Sequence, residues 1–297
     1  MASSDYAEDI RIGDEIIGSA VDAYRKLRNT LRYLLAALDG YSDEETVEDV
    51  EMPGLEKYIR HRIEEVHGQV ISAYEAYDFK TAWRVLTEFA NLDLSAFYFD
   101  IRKDSLYCDA PTSRKRRAAR AVMATLFDAL VRWLAPICPF TAEEAYLSRY
   151  PEAKDASDSV HLQLFDAPPP QWRDDALAAQ WEEVRALRRV VTGALEVARK
   201  EKTLGASLEA APTLFVADAA KREALSGIDM AEMSITSALT LEEGEGPADA
   251  FRLPDVPGVA VVVAKAEGQK CARCWRVLPE VALPNMICNR CDVVVNG

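Results

Sequence analysis

Four cysteines near the end of the chain carry its clearest chemistry. Cys271-Ala-Arg-Cys274 and Cys288-Asn-Arg-Cys291 are two C-x-x-C pairs with thirteen residues between them. Each pair sets two sulfurs on one tight turn, and two such turns facing each other make a tetrahedral thiolate cage suited to Zn²⁺. Pro279, Pro284 and Asn285 suit a loop joining two knuckles. Four thiolates leave no open coordination position, so one structural zinc ion is expected, with no place for an activated water. Two disulfides or four free thiols are the alternatives. Nothing else in the chain looks secreted, which favours metal.

The other groups able to do chemistry offer less. His61 and His67 are six residues apart and do not share a helix face as an i, i+4 metal pair would, so both read as helix-surface histidines. His161 is followed by Leu162 and Gln163, so the His-x-Glu of a zinc-dependent deaminase is missing. Glu143 and Glu144 resemble a carboxylate pair only superficially, because adjacent helix positions diverge. Thr141-Ala-Glu-Glu144 reads instead as a capping box. Cys108 and Cys138 read as a surface thiol and a buried small hydrophobe. No catalytic residue is expected.

Positive charge is local. The net charge of −14 argues against coating nucleic acid by bulk electrostatics. Two clusters stand out nonetheless. Arg25, Arg28 and Arg32, with Lys26 and Asn29 beside them, lie opposite an apolar seam of Ile17, Val21, Tyr24, Leu27, Leu31, Leu34 and Leu38. That stripe is either a solvated helix face or a forked-donor surface for phosphates and base edges. Arg114, Lys115, Arg116, Arg117 and Arg120 follow Pro111 without an acid among them, at a helix N-terminus where cations oppose the macrodipole. A phosphate-facing role and an idle surface run both fit.

These residues need elements to position them. Hydrophobic content of 49% with 28% charged residues describes a soluble globular protein of two or three domains, and no apolar run approaches a membrane span. The polar, acidic N-terminus is unlike an export leader, pointing to a cytoplasmic, reducing setting. Apolar residues at spacing three and four predict helices over 13–38, over 55–74 (Leu55, Ile59, Ile63, Val66, Val70, Tyr74) and up to Trp133 (Val122, Leu126, Leu130). An acidic loop occupies 42–51. Aromatics in 79–99 read as core, with a base-stacking platform as the alternative. Residues 159–164 alternate like a strand, and Pro168-Pro169-Pro170 sits in a stiff linker. A long helix over 174–202 (Trp181, Val184, Leu187, Val191, Leu195, Ala198) stops at Gly205. Strands at 212–217, 233–241 and 259–264 and a helix at 219–225 complete a small α+β unit. The expected domains are 1–150, 151–173 (linker), 174–267 and 268–297.

Several stretches, in order and across essentially the whole chain, resemble isoleucyl-tRNA synthetase of the bacterial type. They are Tyr24-Arg-Lys-Leu-Arg-Asn-Thr-Leu-Arg-Tyr-Leu-Leu35, Asp93-Leu-Ser-Ala-Phe-Tyr-Phe-Asp-Ile-Arg-Lys-Asp-Ser-Leu-Tyr107, Leu134-Ala-Pro-Ile-Cys-Pro-Phe-Thr-Ala-Glu-Glu144, Lys202-Thr-Leu-Gly-Ala-Ser-Leu-Glu-Ala210 and Gly268-Gln-Lys-Cys-Ala-Arg-Cys-Trp275. The second and last are the stretches that set the isoleucyl type apart from its valyl and leucyl relatives. The resemblance implies a mainly α fold: a class I synthetase anticodon-binding helical bundle, then a small α+β junction domain and a zinc-binding knuckle. It also implies isoleucine tRNA as partner, bound through its anticodon arm. The ATP-binding HIGH and KMSKS signatures are absent from these 297 residues. The chain thus reads as a C-terminal portion, expected inactive alone and monomeric, whose catalytic and editing domains, and with them ATP, belong to the full-length enzyme.

Splayed anticodon bases are read by stacking and by hydrogen bonds to their edges. The two basic clusters, with Arg273, Trp275, Arg276 and Arg290 of the knuckle, have the right chemistry. A free-standing, zinc-stabilised protein-interaction module and a metal-dependent hydrolase are the rival readings.

Overall fold

The computed structural model describes residues 2–6, 8–9, 12–152 and 158–297. Met1, Ala7, Ile10 and Arg11 of the N-terminus, and 153–157 of the expected linker, lie outside them. The protein is mainly helical and divides into two compact units, one of 1–106 with 111–174 and one of 107–110 with 175–297. Among the described residues no helix is long and apolar enough to cross a membrane.

The first unit is a helical bundle. α1 (Asp14–Ala37) buries Leu27, Leu31 and Leu34, but the earlier part of its expected seam stays open, with Ile17 51% exposed. α2 (Gly54–Glu75) buries Leu55, Ile59, Ile63, Val66 and Val70 as the periodicity predicts. α3 (Phe79–Glu88), capped by Asp78, runs into a π-helical stretch, Phe89–Phe99, and then α4 (Asp100–Cys108). The wider π winding turns Phe89, Asp93, Leu94, Phe97, Tyr98 and Phe99 inward, so these aromatics are core. Polar groups come with them. Arg102 grips buried Glu56 with two hydrogen bonds of 2.6 and 2.7 Å, and the Tyr98 hydroxyl donates to the same carboxylate.

α5 (Arg114–Leu134) buries Val122, Leu126, Leu130 and Trp133. α6 (Pro139–Arg149) corrects the capping-box expectation. The helix starts two residues before Thr141, with proline in its first turn, and the Thr141 hydroxyl pairs with Tyr24. Glu143 instead accepts from Ser159 Oγ and Val160 N. Those bonds hold Val160–Leu162 as a 3₁₀ turn, so the strand expected over 159–164 is absent. Phe165, Pro168, Pro169 and Trp172 lie against Ile63, His67 and Trp133 around a cavity of about 200 Å³.

In the second unit, α7 (Asp175–Lys200) buries Trp181, Val184, Leu187, Val191 and Leu195. Lys202, with φ of 59°, takes the left-handed position after it, correcting Gly205 as the stop. Beyond it β1 (Thr213–Val216), α8 (Ala219–Ala224), α9 (Met230–Ser234), β2 (Thr240–Glu243) and β3 (Val259–Val262) form a sheet of order β2-β1-β3 with two short helices. β1 runs parallel to β2 and antiparallel to β3. The strand expected from 233 starts only at Thr240, because Asp229 caps α9 by accepting from Glu232 N. β4 (Gln269–Lys270) and β5 (Val277–Leu278) make a hairpin, and α10 (Asn289–Asn296) closes the described chain.

Candidate metal centre and nucleic-acid interface

Local backbone chemistry brings the four sulfurs together. Gly268 sits at φ 111°, where an added Cβ would stand 2.2 Å from Leu278 O, so only glycine lets β4 and β5 pair. The first cysteine pair closes on itself, with Trp275 N donating to Cys271 O (3.0 Å) and Cys271 N to Arg276 O (2.8 Å). The second pair opens α10, where Cys288 is the N-cap and its N–H donates to Cys271 Sγ at 3.3 Å.

All four cysteines are buried and their sulfurs lie within 4.8 Å of one another. Cys274 Sγ and Cys288 Sγ are 3.7 Å apart. A tetrahedron with Zn–S bonds of ~2.3 Å requires sulfurs about 3.8 Å apart, so the donor set fits one structural zinc ion. Burial pushes the Cys271 thiol up, but N–H groups of Cys274, Cys288 and Arg273 outweigh it and bring it to about 6. Burial pushes the Cys274 and Cys288 thiols up. A divalent cation offsets that penalty, since the thiolate is the ligand form. Cys271, Cys274, Cys288 and Cys291 would hold the ion, which would fix the knuckle and leave no coordination position open for an activated water.

Cys108 packs in the same buried cluster, with Val281, correcting its reading as a surface thiol. Cys138, expected to be buried, is only partly so. Nothing in the sequence marks Cys108 as a neighbour of residues more than 160 positions away. Arg273 donates to Cys108 O and to Tyr107 O (3.0 Å), with Cys291 Sγ 3.6 Å away. Arg290 pairs with Asp109 at 3.4 Å, and Arg276 donates to Ser237 O at 2.6 Å. Three of the knuckle's expected RNA-binding groups are therefore engaged in holding this unit together. Trp275 is different. It is 60% exposed, held at φ 67°, and Lys270 Nζ lies 5.6 Å from its ring centroid. Lys270 directly precedes the first cysteine, and no spacing in the sequence marks it as a partner of that ring.

The bundle divides its basic groups similarly. Arg25, Lys26, Arg28, Asn29 and Arg32 are all exposed along α1. Arg25 lies 3.5 Å from Asp22 and Arg28 3.6 Å from Glu144, both as open, solvent-screened pairs. On α5 the run is mostly engaged. Arg116 Nε donates to Leu106 O (3.2 Å) and Arg117 to Glu44 O, while buried Arg120 pairs with Glu45 at 2.9 Å and donates to Asp39 O. Arg114 is exposed and Lys115 partly so. His61, expected at the surface, is fully buried, and its Nδ1 accepts from Asp174 N at 2.8 Å. His67 is half-buried beside Trp133, and burial lowers its imidazole below the usual value.

An exposed cationic helix face on a helical bundle, together with a four-thiolate knuckle bearing an open Trp–Lys pair, has the chemistry of a surface for RNA phosphates and bases. Known families agree. Residues 56–214 match the family described as anticodon-binding domain of tRNA ligase, and residues 268–293 match the zinc finger found in FPG and IleRS. The chain belongs to the anticodon-binding domain family of tRNA ligases. It is 54% identical over 279 residues to an isoleucine–tRNA ligase of Agrobacterium fabrum, 52% over 281 to that of Caulobacter vibrioides, and 51% over 284 to that of Mesorhizobium japonicum. These alignments cover 94–95% of this chain but 28% of each relative, so the chain spans little more than a quarter of their length.

Proposed function

We propose that this chain is the anticodon-reading portion of an isoleucine–tRNA ligase, a cytoplasmic, monomeric enzyme that joins isoleucine to its tRNA using ATP. The observation that carries the reading is one chain holding both an anticodon-binding-domain match and a four-cysteine knuckle whose sulfurs suit one zinc ion. In this reading 1–150 is the anticodon-binding bundle, 151–173 a connector, 174–267 the junction domain and 268–297 the zinc tail. Arg25, Lys26, Arg28, Asn29 and Arg32 contact the RNA backbone and base edges, with Arg114 and Lys115 beside them. Trp275, backed by Lys270, offers a stacking face, since an aromatic ring accepts any unstacked base. Arg116, Arg117, Arg120, Arg273, Arg276 and Arg290 act indirectly, by shaping the surfaces that carry the others.

Ile12, Ile16 and Ile17, up to 79% exposed on or just before α1, suit contact with the catalytic part of the same enzyme. ATP and isoleucine would be handled there. The same stripe is what favours the second reading, a protein-interaction module.

Binding of isoleucine tRNA and a non-cognate tRNA, at moderate salt with and without a zinc chelator, separates the two. Preference for isoleucine tRNA that falls on chelation is expected. Weak, equal binding to both would overturn the anticodon reading and leave the interaction module standing.

A further inference from the structure

Six carboxylates lie within 43–51: Asp43, Glu44, Glu45, Glu48, Asp49 and Glu51. Such a run repels itself and is ordinarily left to solvent. Here it forms two short 3₁₀ turns, Asp43–Glu45 and Asp49–Glu51, and arginines from two helices of the bundle hold it. Arg60 of α2 pairs with Asp49, and Arg117 and Arg120 of α5 take Glu44 O and the Glu45 carboxylate. Tyr41, just before the run, lies under the guanidinium groups of Arg120 and Arg149 at 5.6 and 5.7 Å. The Arg120 side chain is only 6% exposed beneath this strap. A carboxylate on a guanidinium uses the same forked geometry as a phosphate.

We propose that the acidic strap is an internal competitor for RNA phosphate. It occupies Arg117 and Arg120 on α5 and keeps that end of the bundle from gripping RNA backbone without regard to sequence. It is thus a specificity device. Phosphate binding alone holds any RNA, so masking those arginines makes affinity depend on bases read elsewhere. The proposal rests on the anticodon-binding reading.

The test compares three forms of the chain on unstructured poly(U) and on isoleucine tRNA across a salt series. E45Q frees Arg120. The triple change E44Q/E48Q/E51Q neutralises exposed strap carboxylates while leaving the Glu45–Arg120 and Asp49–Arg60 pairs, so it protects against an E45Q variant that fails to fold. E182Q/E183Q/E201Q makes the same charge change on exposed sites of the second unit.

E45Q is expected to bind poly(U) about threefold more tightly at low salt, with a steeper salt dependence, because it frees Arg120 for one more phosphate. The strap triple, which leaves Arg117 and Arg120 engaged and only removes repulsion beside them, should bind poly(U) more tightly than the control triple with an unchanged slope. Isoleucine tRNA binding should rise less, so the ratio between the two RNAs falls. Adding R120A to E45Q should erase the increase. Folded strap variants with unchanged poly(U) affinity and salt slope would overturn the proposal, as would an equal increase in the control triple. Failure of the anticodon reading shows separately, as unmodified chain with no preference for isoleucine tRNA.

Discussion

In the bundle, Glu56 and Arg102 are buried together against Tyr98, and α1, α2 and α5 each bury an apolar seam. In the knuckle four thiols are buried together, and their apolar company is little more than Val281, Leu278, Met286 and Ile287. The bundle has enough hydrophobic surface to fold around a charge pair. Thirty residues of knuckle do not, and chains below about 40 residues usually need a staple such as a metal. One region should therefore answer to single buried substitutions and the other to metal.

The largest effect tests that division. Structural zinc contributes about 10–16 kcal/mol of apparent binding free energy to small folded modules. Cys288→Ser or chelation is expected to raise amide exchange throughout 268–297 and expose Cys108 to thiol labelling. The denaturation midpoint of the bundle should stay where it was. Loss of the bundle's cooperative transition in the same sample would break the comparison.

Next comes the buried pair. Removing one partner, as in Glu56→Gln or Arg102→Met, leaves an uncompensated buried group and should cost about 3–5 kcal/mol in chemical denaturation. The double variant is expected to lose less than the two single losses added together, and zinc content should not change. A zinc loss that tracks these substitutions would mean the regions are not energetically separate.

Exposed and engaged arginines should then diverge within one fold. Arg32→Glu is expected to weaken tRNA binding about tenfold and flatten the salt slope by roughly 0.7–0.9, with stability unchanged. Arg120→Glu should instead lower stability, because Glu45 and Asp39 O lose their partner. An unchanged slope for Arg32→Glu would take that residue out of the interface.

The smallest effect is a pH dependence. Burial raises the Asp128 carboxyl above its usual value, against the opposing pull of Tyr150 and Arg132. A carboxyl raised on folding stabilises the fold below its unfolded pKa and loses that contribution as pH rises through the folded value. At neutral pH the ionised, buried group is then a net cost. Asp128→Asn, which can still accept from Tyr150, should raise the thermal midpoint slightly at pH 7, with the gap closing toward pH 4. A lowered midpoint at pH 7 would show the charged bond to Tyr150 outweighs desolvation.

Much of the fold could be read from periodicity, because α2, α5 and α7 bury the residues their spacing picks out. Short elements could not. The alternation at 159–164 became a 3₁₀ turn when Glu143, sixteen and seventeen positions earlier, took Ser159 Oγ and Val160 N. The run at 233–241 lost its first half to a helix capped by Asp229. In both cases side-chain hydrogen bonds, two accepted by Glu143 and one by Asp229, outweighed a weak local preference.

By itself the sequence determined the metal centre and the family. Both depend on residues close in the chain: two C-x-x-C turns and runs of motif. Only the tertiary structure decided which basic groups stay exposed and which are engaged within the fold. Arg120 is claimed by Glu45, Arg273 by Cys108 and Arg290 by Asp109, while Arg32 and Trp275 stay exposed. Those partners lie 75 to 181 positions away in the chain. Availability of a charge is set by what folds against it, and no local spacing carries that information.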